Sequence, residues 1–203
     1  MDWRWTGIKA AAHAAALVPL ALLVQGARGD SLGADPVAAI THATGDWALR
    51  LLLLGLAMTP LRRLLGQAWP LRFRRLIGLY AFFYACLHLT TYLVLDLGAY
   101  WQQLFADIVK RPYITLGFAA WLLLIPLALT STRAAMRRLG RRWGQLHRAV
   151  YAAAVLGVLH FIWLVKSDLR EPLLYAAILA VLLGLRLYWR LRRPVAQPPA
   201  RGA

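Results

Sequence analysis

The stretch RRWGQLHRAVYAAAVLGVLHFIWLVKSD, residues Arg141 to Asp168, decides the fold because it sets two histidines thirteen residues apart in an otherwise almost wholly apolar segment. Its uncharged run from Ala149 to Val165 approaches the roughly 20 residues that span a bilayer core, which predicts a membrane helix. His147 then lies at one membrane face and His160 in the far half. Polar groups are costly in hydrocarbon, so an intramembrane histidine indicates a functional site. The alternative is that both histidines are bonded to neighbouring helices.

The spacing of His147 and His160 limits what they bind. At a rise of about 1.5 Å per residue the two imidazoles lie about 20 Å apart along the axis, which suits two stacked cofactor levels and rules out one shared metal ion. Neutral imidazole is a common axial ligand of haem iron. On an ideal helix, however, His160 points roughly 140° away from His147. Either the helix is distorted, which Gly157 permits, or His147 faces another direction.

The composition identifies an integral membrane protein. Of 203 residues 61% are hydrophobic, nine are Trp and only eight are acidic, which leaves too little polar surface for a soluble globule. The formal net charge is +16, but the basic residues fall between apolar runs rather than on a folded polar surface, and this argues against nucleic-acid binding. The single Cys86 leaves no CxxCH motif, so any haem is held noncovalently.

The apolar runs predict an all-α membrane bundle of six transmembrane helices. The predicted spans are Ala10 to Gln25, Gly45 to Pro60, Leu76 to Leu97, Pro112 to Thr130, the opening stretch, and Pro172 to Trp189. The predicted division of the chain is a cytoplasmic head at 1–9, a haem-binding membrane domain at 10–190 and a disordered basic, Pro-rich tail at 191–203. Residues 26–44 are predicted as a polar outer loop containing a solvated His42, and residues 98–111 allow a short interfacial helix.

The distribution of arginine predicts the orientation of the bundle. Basic residues accumulate before span one and in the loops after spans two, four and six, whereas most acidic residues lie on the other side. By the positive-inside rule, both termini are cytoplasmic. Spans three and five therefore run in the same direction, from inside to outside.

That shared direction brings a second histidine to the depth of His160. His88 lies about twelve residues into span three, and His160 a similar distance into span five, so the two can face each other in the outer half. A porphyrin between them would be a low-spin b-type haem suited to electron transfer. Arg74, fourteen residues before His88, lies at the depth of His147 and about 40° around the helix from the His88 direction. The inner level therefore offers one histidine and one arginine.

The arginines of the basic loop before span three have two alternative roles. Arg72, Arg74 and Arg75 are either topology signals or bidentate partners of a haem propionate or flavin phosphate.

His13, in span one, has no second histidine at its depth and is predicted to be packed or hydrogen-bonded. The chain has no GxGxxG fingerprint and no room for a nucleotide-binding domain, so its electron donor must be a separate molecule.

Four runs of the sequence resemble a known family. They are TGDWALRLLLLGLAMTPLRRLLG, RRLIGLYAFFYACLHLTTYLVLDL, KRPYITLGFAAWLLLIPLALTST and RRWGQLHRAVYAAAVLGVLHFIWLVKSD, and together they cover roughly residues 40–170. They are similar to MsrQ, the family of haem-binding membrane subunits of the bacterial protein-methionine-sulfoxide reductase system, within the ferric reductase-like transmembrane group. Relatives in that wider group carry two histidines on each of two helices and hold two haems. Arg74 stands where the fourth histidine would be, a departure that argues against a second bis-histidine haem.

The resemblance implies cofactors, partners and location. His88, His160 and His147 would be axial ligands of haem iron, with one or two haem b groups, and FMN is a further cofactor. Electrons would come from the quinone pool or a cytosolic flavin reductase. They would reach a periplasmic molybdopterin-containing catalytic subunit that reduces oxidised methionine in proteins. The chain would lie in the bilayer of the bacterial inner membrane.

Three other classes of membrane protein are compatible with the sequence. A ferric reductase-like subunit with a different partner would share the haem site. A transporter would also place polar groups at mid-depth, but transporters usually show internal repeats, and no such symmetry is evident in the sequence. A structural or assembly subunit would need no haem.

Overall fold

The computed structural model describes residues 3–98, 100–165 and 167–192. Within these residues the chain forms nine α-helices and no strand. The helices are α1 (Trp3–Arg28), α2 (Pro36–Leu65), α3 (Pro70–Thr91), α4 (Trp101–Lys110), α5 (Pro112–Leu129), α6 (Arg133–Leu139), α7 (Arg141–Leu146), α8 (Ala149–Leu164) and α9 (Arg170–Leu191). A π-helical turn, Tyr92–Asp96, continues α3. The all-α fold class is therefore confirmed. The predicted disordered tail lies outside the described residues, except for its first two.

Five helical segments are long and apolar enough to cross a membrane. They are Trp5–Arg28, Pro70–Asp96, Pro112–Leu129, Arg141–Leu164 and Arg170–Leu191. α2, with 30 residues, is also long enough to span, but it is not among the five. Its first half carries Asp46 and Arg50, which lower its hydropathy. The structure thus describes a multi-pass membrane protein with five such spans and a sixth long helix of mixed character.

The two charges in the first half of α2 are paired with each other and with α9. Arg50 lies 3.5 Å from Asp46 and 3.2 Å from Glu171, and its Nε donates a 2.7 Å hydrogen bond to the Tyr175 hydroxyl. Charged residues within membrane helices are usually paired in this way and face the bundle interior. α2 also contributes more buried residues to the core than any other described helix, among them Leu52, Leu53 and Leu56. It packs chiefly against α3, and α5 packs chiefly against α8.

A proline in α2 leaves a backbone carbonyl unpaired, and the intramembrane Arg186 binds that carbonyl. Pro60 has no N–H, so the carbonyl of Leu56, four residues earlier, has no helical partner. Arg186 on α9 donates from Nη2 to that carbonyl and from Nη1 to the carbonyl of Leu182 at 3.0 Å. A buried unsatisfied carbonyl costs about 1–3 kcal/mol, and a charged donor removes that cost. Arg186 therefore joins α9 to the distorted turn of α2.

α1 is held to the bundle by one buried tyrosine. The Tyr84 side chain, only 1% exposed, donates from its hydroxyl to the carbonyl of Ala16 and accepts from the Leu20 N–H. These two backbone groups would otherwise bond to each other within α1, so the hydroxyl is inserted into the helix next to Pro19. His13 also bonds to the Tyr80 hydroxyl through Nδ1, at 3.0 Å, as predicted for a hydrogen-bonded histidine.

Two helix boundaries differ from the sequence-based predictions. α2 begins at Pro36, capped by the Asp35 side chain, so much of the predicted outer loop is helical and His42 lies on a helix. The predicted fifth span is broken at His147 and Arg148, between α7 and α8, rather than distorted at Gly157. The short helix predicted within residues 98–111 is confirmed as α4.

Candidate functional site

The structure brings the imidazole rings of His88 on α3 and His160 on α8 next to each other. The centroids of the two imidazole rings are 6.1 Å apart, and the ring planes are 72° from parallel. Two metal–nitrogen bonds of about 2 Å each would place the coordinating nitrogens about 4 Å apart and the ring centroids about 6 Å apart. The observed separation therefore fits one metal ion held between the two rings.

Each imidazole is oriented by a backbone carbonyl. Nδ1 of His88 lies 2.9 Å from the carbonyl oxygen of Thr41, and Nδ1 of His160 lies 2.7 Å from that of Tyr113. Because a carbonyl oxygen only accepts, Nδ1 carries the proton in both rings, and Nε2 is left with its lone pair. A carbonyl on one imidazole nitrogen is the usual means of fixing a metal-ligating histidine in its tautomer and orientation. Both histidines are thus prepared as Nε2 ligands.

A glycine lies against each imidazole. A Cβ atom at Gly45 of α2 would lie 3.0 Å from Cε1 and Nδ1 of His88. A Cβ atom at Gly117 of α5 would lie 2.8 Å from Nδ1 of His160. Side-chain carbons essentially never approach ring atoms as closely as at Gly117, and the contact at Gly45 is tighter than nearly all real ones, so both rings occupy space that glycine leaves free.

The two histidines line a cavity of about 380 Å³ between α2, α3, α5 and α8. This volume lies within the range of about 300–1,000 Å³ typical of small-molecule and cofactor sites. The deeper wall is apolar and includes Leu49, Leu52, Trp121 and Leu124. An apolar cavity between two imidazoles whose Nε2 atoms carry a lone pair suits a haem b group, whose porphyrin would supply the remaining iron ligands.

Polar residues surround the outer rim of the cavity. His42, predicted to be solvated in a loop, is exposed on α2 and lines the cavity together with Asp46, Tyr92 and Arg111. The buried Asp107 of α4 accepts a 2.8 Å hydrogen bond from the Tyr92 hydroxyl and lies 3.3 Å from Nε of Arg111. The Tyr113 hydroxyl and the Asp107 charge raise the pKa of Arg111, so its guanidinium stays charged. These contacts hold α4 over the rim.

The inner level contains His147 at the junction of α7 and α8. Its Nδ1 lies 3.1 Å from the carbonyl oxygen of Trp143, and its ring stacks on the Trp143 indole at 3.9 Å. Its Nε2 is buried and makes no hydrogen bond of 3.5 Å or less in the described part of the chain, and the backbone of Leu127 lies beside the ring. His147 therefore shares with the outer histidines a carbonyl-bound Nδ1 and a free Nε2. The break between the two helices lets the ring turn independently of His160.

Arg74 and Arg75 extend from the first turns of α3. Both side chains are exposed, and within residues 3–98, 100–165 and 167–192 neither makes a hydrogen bond or an ion pair. Arg74 is close enough to His147 for their charges to interact. The inner level thus places an unneutralised guanidinium beside a histidine with a free nitrogen.

Sequence reasoning missed four residues of the outer site. Thr41 and Tyr113 act through their backbone carbonyls, which no side-chain motif reveals, and Gly45 and Gly117 act through the absence of a side chain. One signal was available: each histidine lies 47 residues after the residue whose carbonyl it binds. The Cys86 Sγ accepts a hydrogen bond of 3.4 Å from the Trp121 indole N–H.

Comparison with known proteins identifies the family of the chain. Residues 44–158 match the family described as ferric reductase like transmembrane component. The chain is 62% identical over 206 aligned positions to the "Protein-methionine-sulfoxide reductase heme-binding subunit MsrQ" of Xanthomonas campestris pv. campestris (strain 8004), with 95% of this chain and 94% of the relative covered. It is 55% identical over 186 positions to the protein of the same name from Rhodospirillum rubrum, with 90% and 88% covered. No solved structure matches the chain. The chain therefore belongs to the MsrQ family within the ferric reductase-like transmembrane group.

Proposed function

We propose that the chain is a membrane b-type cytochrome that passes electrons across the bacterial inner membrane to a periplasmic methionine sulfoxide reductase. The observation that carries the proposal is the pair of imidazoles 6.1 Å apart, each with Nδ1 bound to a carbonyl and Nε2 free. Relatives more than half identical over nine-tenths of the chain are named as haem-binding subunits of a protein-methionine-sulfoxide reductase, which supports the assignment.

His88 and His160 are the proposed axial ligands. A haem b group held between them would supply one-electron transfer. Six-coordinate ligation by the two imidazoles leaves no position open for oxygen or substrate, so the site suits electron transfer rather than catalysis. The chain is accordingly proposed as an electron-transfer subunit, and reduction of methionine sulfoxide is assigned to a separate molybdopterin-containing partner.

The proposed topology has six spans and two cytoplasmic termini, with α2 as the sixth span. α2 is long enough to cross, the two charges in its first half are paired, and its core-facing residues are buried. All described acidic residues lie at the predicted outer end of the bundle, whereas the loops at the other end carry arginine without acid. The carbonyl-bound histidines, the rim and α4 then face the periplasm.

The inner level is the proposed entry point for electrons. His147 offers a free Nε2, and Arg74 and Arg75 offer exposed guanidinium groups that suit a haem propionate or an FMN phosphate through bidentate bonds. The chain's cytoplasmic loops are too short to form a nucleotide-binding domain. The proposed donor is therefore quinol or a cytosolic flavin reductase.

Reoxidation kinetics test the proposed function. The purified, haem-loaded chain is reduced with a limiting amount of dithionite and mixed with a purified periplasmic molybdopterin methionine sulfoxide reductase. With the partner present in a small fraction of the amount of haem, we expect complete loss of the reduced b band only when excess methionine sulfoxide is also present, because the partner's own metal centre can take up only a few electrons. Omission of the sulfoxide is the control, and ferric citrate replaces the partner in a parallel mixture. Reoxidation that ferric citrate accelerates and the partner does not would contradict the proposal in favour of a ferric reductase.

A further inference from the structure

The outer site is built from two copies of one helix hairpin. In the first, Thr41 supplies a carbonyl to His88, and Gly45 lies one helical turn below Thr41. In the second, Tyr113 supplies a carbonyl to His160, and Gly117 lies one turn below Tyr113. Every member of the second set follows its counterpart by 72 positions.

The correspondence extends beyond the ligands. The pattern GxxAxxLL begins at Gly45 in α2 and again at Gly117 in α5. Most residues that line the cavity fall into pairs with the same offset. The pairs are Thr41 with Tyr113, His42 with Ile114, Gly45 with Gly117, Asp46 with Phe118, Ala48 with Ala120, Leu49 with Trp121, Leu52 with Leu124, Ala85 with Gly157, His88 with His160, Leu89 with Phe161, and Tyr92 with Leu164. The expectation that the chain has no internal repeat was therefore wrong.

Four pairs keep the same residue type in both copies, whereas the polar lining residues Asp46 and Tyr92 are not retained; the four pairs are Gly45 with Gly117, Ala48 with Ala120, Leu52 with Leu124, and His88 with His160. Asp46 is replaced by Phe118, and Tyr92 by Leu164. The difference gives the cavity a polar side on α2 and α3 and an apolar side on α5 and α8. The parts that both copies share are those that hold the imidazoles and pack the helices.

We propose that Gly45 and Gly117 are positioning residues that fix the planes of the His88 and His160 imidazoles at their near-perpendicular angle. The proposal rests on the proposed haem ligation by these two histidines. Each ring is held on one edge by its carbonyl and is in close contact with the glycine backbone. A methyl group at Gly117 overlaps the His160 ring, and one at Gly45 crowds the His88 ring by a few tenths of an ångström, so each ring is displaced and its Nδ1 hydrogen bond lengthens.

The ring angle has a spectroscopic consequence. In six-coordinate low-spin ferric haem, the angle between the two axial imidazole planes determines how the iron d orbitals are split. Parallel planes give a well-resolved rhombic electron paramagnetic resonance spectrum, and perpendicular planes give a single strongly anisotropic signal at low field. The 72° angle between the two rings places the native protein near the second type.

The test compares four alanine variants in the full-length, haem-loaded protein. Gly45→Ala and Gly117→Ala are expected to shift the low-field signal toward the rhombic type in the haem-loaded fraction. Gly55→Ala on α2 and Gly78→Ala on α3 are the matched controls. A Cβ at Gly55 meets only Ile77, at an ordinary 3.6 Å, and a Cβ at Gly78 meets nothing within 4 Å. Native signals in the controls support the proposal, and native signals in all four variants overturn it.

A double-mutant cycle covers the case in which Gly45→Ala binds no haem. Thermal unfolding of the haem-free protein is measured for Gly45→Ala, His88→Ala and the combined variant. We expect the melting temperature to fall in Gly45→Ala, and the fall to disappear when His88 is also alanine, because the methyl group then has no ring to displace. An equal fall with and without His88 overturns the proposal. Retention of full haem by His88→Ala would instead refute the ligand assignment, so the two failures are distinguishable.

Discussion

Replacing His88 or His160 with alanine is expected to remove most of the bound haem. Each side chain supplies one of two axial ligands, and the opposite imidazole alone leaves the iron five-coordinate in a cavity that is otherwise apolar on its deeper wall. The measurement is the haem-to-protein ratio of the purified variants, together with the optical spectrum of any haem that remains. Residual haem is expected to be high-spin.

Two histidine variants outside the pair serve as controls. His13→Ala removes a side chain that bonds to Tyr80 on the surface of the bundle, and His42→Ala removes an exposed side chain from the cavity rim. Both are expected to retain the native haem content. Full haem with an unchanged low-spin spectrum in both His88→Ala and His160→Ala would refute the outer-pair assignment.

Replacing His147 or Arg74 with alanine is expected to affect reduction of the haem by its donor but not reoxidation of the haem by the periplasmic partner. The inner residues lie about 20 Å from the outer pair by the helix rise, so the outer spectrum and reoxidation by the periplasmic partner should remain largely native. Reduction by an inner-side donor should slow. Loss of a charge-assisted bond of about 1.5–3 kcal/mol would weaken binding of an anionic carrier at Arg74 by about 10- to 100-fold.

Stopped-flow reduction and reoxidation of the four variants at His88, His160, His147 and Arg74 would measure both half-reactions. Arg133→Ala is the control for general loss of positive charge, because Arg133 is an exposed arginine on the same predicted face. It should reduce and reoxidise at native rates. If the rates of haem reduction and of haem reoxidation fell equally in all four variants, the inner and outer levels would not be separate electron carriers.

The sequence was sufficient to predict the matched depth of His88 and His160. That prediction needed only the charged ends of the apolar runs and the regular helix rise, both of which are local properties. The sequence alone could not predict where α2 begins and ends. Asp46 and Arg50 interrupt the apolar pattern, and the partners of Arg50 on α9, Glu171 and Tyr175, lie more than 120 residues away along the chain.

Features that depend on backbone geometry were also beyond prediction. The break at His147 follows a short helix with no proline at the junction, so no residue marks it. The pairing of Arg186 with the carbonyl freed by Pro60 joins two helices distant in sequence. The repeat went undetected because most paired positions differ in residue type, and its shared elements include two carbonyls and two glycines.

The reduced-minus-oxidised optical spectrum of the purified chain, taken with its haem content, tests the central claim most directly. The account predicts the bands of a six-coordinate, low-spin b-type haem, with at least one haem bound noncovalently per chain. A folded preparation that shows no haem bands even after reconstitution with haemin would contradict it. So would a high-spin spectrum that shifts on addition of carbon monoxide, because an open iron position is incompatible with ligation by both His88 and His160.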